Sequence, residues 1–143
     1  MKKLATLILS FAFFSLSHAA ADPDRYLLTP VTLKKMHAVN QDLEKANIKE
    51  EDDDEDDKNL SVEEFARLLE SNPKAKAVLA KNGISSMDYA LATYAMVAAG
   101  MHLMFEPSMD KKKIPSLIAS YPKERQANIE LLRKNPQYLK TKE

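Results

Sequence analysis

The sequence predicts an all-α protein: a small bundle of about five helices around a central apolar helix at about 86–105. Three observations carry that expectation. Apolar residues recur at three- and four-residue spacing through much of the chain, which is the phase of one helix face. Capping residues stand where those stretches begin. Two glycines in 143 residues are too few for a β-sandwich or barrel, whose turns need many special backbone dihedrals. No strand-like alternation of useful length and no fixed-period repeat competes with the pattern.

The N-terminus has a different logic. Lys2 and Lys3 precede Leu4 to Leu16, thirteen residues interrupted only by Thr6, Ser10 and Ser15. Small residues follow at Ser17-His18-Ala19-Ala20-Ala21. A positive start, an apolar run and a small-residue end are the order of a secretory signal peptide, expected over 1–21. Cleavage falls before Asp22, or two residues earlier after Ala19. An uncut anchor is the competing reading. Thirteen residues rise only about 20 Å as a helix, against a hydrocarbon core of ~30 Å. Cleavage and a periplasmic or secreted product are therefore expected, with 22–143 as one helical domain and no membrane span in the processed chain.

The elements follow in order. Thr29-Pro30 places an N-cap before proline at the first helical position. Leu33, Met36, Asn40, Leu43 and Ala46 then mark an amphipathic helix to about Lys49. Glu50 to Asp57 is eight consecutive acids, a solvated acidic loop at 50–59. Ser61 with Glu64 forms a capping box, and Leu60 with Phe65 a hydrophobic staple, opening a short helix with Val62, Phe65, Ala66 and Leu69 inward. Pro73 opens the next helix, closed by Asn82-Gly83 with Ile84 as its apolar contact. Ser85 and Asp88 repeat the box, with the acid reaching back to the cap amide. Tyr89 to Phe105 is then seventeen residues without a formal charge and apolar on every face. Such a helix belongs at the centre of a protein or in a membrane. Seventeen is the bottom of the spanning range, so a buried central helix is expected. A short piece at Pro115 to Tyr121 and a last helix after Pro122, with Ala127, Ile129, Leu131 and Leu132, complete the set. The basic tail beyond Pro136 is expected to fray.

Composition excludes much chemistry. The chain has no cysteine, so disulfides, thiolate metal sites, cysteine nucleophiles and covalently attached haem are out. Its net charge of zero hides two unlike halves. Residues 22–72 carry fifteen acidic and seven basic side chains, and residues 73–143 carry six acidic and twelve basic. There is no H-E-x-x-H, no phosphate-binding glycine loop and no serine with a local histidine partner. The expectation is that the protein is not an enzyme and carries no cofactor.

Two cation readings stand beside that expectation. Asp53, Glu55, Asp57, Asn59 and Glu64 occupy positions one, three, five, seven and twelve of a stretch that resembles an EF-hand calcium loop, though Lys58 sits where the sharp turn wants glycine. Met36-His37 and Met101-His102 with Met104 pair thioether and imidazole, the soft ligands that suit copper or silver, or one Met and one His for haem. Capping and core packing account for the same residues without any metal. The basic C-terminal third, from Lys111-Lys112-Lys113 through Lys123, Arg125, Arg133, Lys134, Lys140 and Lys142, would face another envelope protein or an anionic envelope surface. Nucleic acid is excluded, since no aromatics interleave the cluster.

The segment Pro73 to Gly100, preceded by Asn72, reads N-P-K-A-K-A-V-L-A-K-N-G-I-S-S-M-D-Y-A-L-A-T up to Thr93. It resembles a group of small exported bacterial helical proteins of unassigned function, with a proline-led helix, a Gly-Ile turn and an acid-aromatic pair opening an Ala-rich helix. The matching positions are caps and core. The resemblance implies export and a helical fold, and transfers no functional residue. The reading that results is an exported, non-enzymatic helical protein acting as a binding or interaction module of the envelope.

Overall fold

The structure is a computed structural model that describes residues 21–48 and 60–140. Those residues form six α-helices and no strand: α1 (Pro30–Lys45), α2 (Val62–Ser71), α3 (Pro73–Lys81), α4 (Ser86–Phe105), α5 (Ile114–Ser120) and α6 (Lys123–Lys134). Short 3-10 turns lie at Pro23–Arg25, Glu106–Ser108 and Pro136–Tyr138. The fold is all-α. Residues 1–20, all but Ala21 of the expected signal peptide at 1–21, and residues 50–59, the expected acidic loop, lie outside the described residues.

The helix ends obey local chemistry. Thr29 Oγ1 accepts the Thr32 N–H at 3.1 Å and Pro30 takes the first helical position. Ser61 and Glu64 close both halves of their capping box, at 3.2 and 2.8 Å. Ser85 Oγ accepts the Asp88 N–H, but the Asp88 carboxylate takes the Ser85 hydroxyl at 2.8 Å and not the cap amide. Aspartate is one methylene shorter than the glutamate of the full box. Gly83 stands at φ +64°, and the Ile84 and Gly83 amides return to the Leu79 and Ala80 carbonyls, closing a Schellman motif. Asn47, at φ +52°, ends α1 the same way, with the Ile48 amide on the Leu43 carbonyl. The helix therefore stops at Lys45, four residues short of its expected end.

α4 is the hub, packed mainly against α2 and α6, with α1 and α3 touching it more lightly. Apart from Tyr89 and His102, its buried side chains are small: Ser86, Ala90, Ala92, Ala95 and Ala99. Small residues let neighbouring backbones approach closely, so larger side chains on the partners fill the core. Leu33, Met36 and Val39 of α1, Leu69 of α2, Leu79 of α3, and Ile129 and Leu132 of α6 do this. In α6 the buried polar residue is Asn128, while the expected Ala127 is exposed. Asn128 Oδ1 accepts the Leu28 N–H and its Nδ2 donates to the Tyr26 carbonyl, both at 2.8 Å. That pairing pins the segment before α1 across the bundle, a hundred residues away in sequence.

One expectation fails in an informative way. α4 is not enclosed on every side: Val97, Met101, Met104 and Phe105 are 51, 49, 67 and 51 % exposed. α2 covers the first half of α4 through Val62, Ala66 and Phe65 against Ala90, Leu91 and Tyr94. No helix of comparable reach among the described residues covers the second half on that side. Among the described residues, no helix is long and apolar enough to cross a membrane.

Candidate functional site

The open side of α4 forms one wall of a groove of about 710 Å³. Helical spacing builds it. Met96, Val97, Gly100, Met101 and Met104 recur at three- and four-residue steps along α4 and share one face. Across from them, His37, Asn40, Gln41 and Glu44 recur likewise along α1. The C-terminal turn supplies the third side with Tyr138, Leu139 and Lys140. The result is an apolar floor with a polar rim on the α1 side, within the volume range of small-molecule pockets.

Gly100 sets the closeness of the third side. A Cβ there would lie 3.1 Å from Leu139 Cδ2, inside ordinary carbon contact distance. The glycine thus gives the tail its seat, and residues 136–139 are structured where fraying was expected. Tyr138 in turn meets the His37 ring edge-on, with centroids 6.1 Å apart. His37 Nε2 lies 3.0 Å from Gln41 Nε2, one turn along α1. The imidazole is exposed yet held from two directions.

The sequence-predicted ligands divide. Asp53, Glu55, Asp57 and Asn59 lie outside the described residues. Glu64 is exposed, and its carboxylate is occupied by the Ser61 amide, which holds its pKa below the usual carboxylate range. No group of three or more His, Asp or Glu that would hold a metal occurs among the described residues. His37, Met101 and Met104 come together at the groove, joined by Met96, which sequence reasoning had not singled out. Met36 is 3 % exposed and belongs to the core. His102 points away from the groove: its side chain is fully buried, with Nε2 3.0 Å from Glu106 Oε2 and Nδ1 3.4 Å from the Tyr121 hydroxyl. The two histidines serve different faces of the bundle.

The basic third is likewise divided. Arg125 pairs with Asp24 at 3.2 Å and stacks over the Tyr121 ring at 4.1 Å. Arg133 bonds Glu106 at 2.6 Å and also meets Glu130. These arginines tie the bundle together, whereas Lys111, Lys112, Lys113, Lys123, Lys134 and Lys140 remain exposed. Lys142 lies outside the described residues. Helix phase would have located the groove face of α4, but only the fold shows which face stays uncovered and that the tail lies along it. No protein-family model, curated protein or solved structure matches the chain, so its function is read from its own residues.

Proposed function

We propose that the chain is an exported, non-enzymatic binding module of the bacterial envelope whose working surface is the groove between α1, the second half of α4 and the C-terminal turn. One observation carries the proposal: along its second half α4 turns Ala95 and Ala99 inward and the larger apolar Val97, Met101 and Met104 outward. A fold serving only its own stability would bury the larger side chains, each contributing about 1.5–3 kcal/mol when removed from water. Methionine is unbranched and polarisable, and adapts to differing apolar partners. The ligand class that fits is an amphipathic molecule or segment, with apolar groups along α4 and polar groups toward Gln41 and Glu44. Export is supported by the leader sequence alone.

An environment-sensitive apolar dye tests the surface. Saturable binding at one equivalent is expected, and Val97→Glu with Met101→Glu should weaken it at least tenfold. Thermal unfolding should stay within a few degrees, because both side chains are already half in water. Equal dye binding by the doubly substituted chain would dispose of the groove. Intact mass of the protein from the envelope fraction tests export: a species beginning at Asp22 or Ala20 is expected, and an unprocessed chain would contradict it.

A further inference from the structure

The groove also holds an unusual set of soft donors. Among the described residues there are six methionines, and three of them, Met96, Met101 and Met104, line this one surface. Met101 and Met104 are 49 and 67 % exposed, so their thioethers are not spent as core filler. Facing them from a different helix is His37, whose Nε2 side is engaged by Gln41. Its other ring nitrogen has no hydrogen-bond partner among the described residues. Gln41 Nε2 carries only donor hydrogens, so its contact falls on the His37 Nε2 lone pair, and a cation would take that lone pair in the amide's place. The edge contact with Tyr138 holds the ring from a second direction.

We infer that His37, Met101 and Met104, with Met96 beside them, form a binding site for a soft monovalent cation, Cu(I) or Ag(I). This rests on the groove being the working surface and names one ligand class for it. Thioether and imidazole donors select soft ions, whereas Ca(II), Mg(II) and Mn(II) want carboxylate and carbonyl oxygens. Among the described residues Glu44 is the one carboxylate at the groove, and the thioether donors there are soft. The donors come from α1 and α4, so binding would also bridge two helices that touch only lightly.

The test uses Ag(I) nitrate in chloride-free buffer with the protein expressed from the full sequence, its methionine methyl groups carbon-13 labelled. The Met101 and Met104 methyl signals should move to an endpoint at one equivalent, with Met96 following. Met87 and Met109, which lie elsewhere, should stay in place and serve as internal controls. Zn(II) should move none of them. His37→Gln should weaken Ag(I) binding at least tenfold. Met101→Leu with Met104→Leu conserves apolar volume, and should abolish stoichiometric Ag(I) binding while the apolar dye still binds. If every methionine shifts together, if nothing saturates at one equivalent, or if the doubly leucine-substituted chain still titrates, the cation site is overturned. Dye binding without Ag(I) binding would remove the cation and keep the groove. Loss of both in the unsubstituted protein would remove the groove itself.

Discussion

The two sides of α4 are made from the same uncharged stretch and do opposite things. On the packed side Ala92, Ala95 and Ala99 are 0, 2 and 0 % exposed, and Ile129 and Leu132 of α6 are wholly buried in the same core. On the groove side Val97, Met101 and Met104 meet solvent. Close approach explains the first arrangement, since small side chains admit neighbouring helices and the partners supply the volume. No such account serves the second, where the larger apolar groups gain nothing by being exposed. Apolar composition all round a helix therefore does not by itself mean enclosure. Here it marks one face that builds the fold and another that stays in contact with solvent.

The largest expected effect lies on the packed side. Ile129→Ala empties a site with no solvent exposure and should cost about 2–5 kcal/mol, read as a shifted urea midpoint at unchanged slope. Met101→Ser on the groove side should stay within about 0.5 kcal/mol. If the serine variant is destabilised by as much as the alanine variant, the two sides are one core and the contrast is gone.

Second comes Asn128→Ala. Its side chain satisfies one backbone donor and one acceptor of the segment before α1, and each buried group left unpaired costs about 1–3 kcal/mol. A loss of about 3 kcal/mol is expected, with early exchange of the Leu28 amide. A loss under 1 kcal/mol would mean that residues 22–29 are not clamped to α6.

Much of this fold was legible because it is written in local chemistry. Ser61 and Glu64, Asn82-Gly83 and the proline starts each act within a few residues, and the bounds of α4 fell where Ser85 and the end of the uncharged run put them. What local chemistry does not contain is which partner covers a face. Nothing within its own helix marks Asn128 for burial, because its backbone partners lie about a hundred residues away. Asn47 adopts a left-handed backbone that asparagine tolerates but does not announce. His37 and Met104 were singled out by type, yet only the fold separates His37 from His102 and brings Met96 and Leu139 to the groove.

Gly100→Ala probes the boundary between the sides. Alanine in a helix interior gains up to about 1 kcal/mol over glycine. The new Cβ would press on the tip of Leu139, which is 38 % exposed and free to swing outward. The expected result is a small rise in stability with faster amide exchange at Tyr138 and Leu139. If stability instead falls by more than about 0.5 kcal/mol, the tail is an integral wall of the bundle and the groove is shallower than described.

The smallest effect should come from acid, and it belongs to the packed side. The Asp42 carboxyl is held below its usual range by hydrogen bonds from Asn82 and Lys81, at 3.1 and 3.0 Å. Glu70 is held down by Lys76 at 2.9 Å and by the Ser86 hydroxyl at 2.7 Å. Both contacts clasp α3, to α1 through Asp42 and to α2 and α4 through Glu70. A carboxyl lowered in the folded state stabilises it at pH above the ordinary carboxylate value of about 4, and that contribution fades as pH falls through and below it. Both side chains are in contact with solvent and screened, so the effect is modest and should shrink further in high salt. Between neutral pH and about pH 3, amides of α3 should lose protection before those around Gly100. Asp42→Asn with Glu70→Gln should flatten that dependence. If acid loosens the groove first in the unsubstituted protein, α3 is not the weakly clasped element, and the light contact between α1 and α4 takes its place.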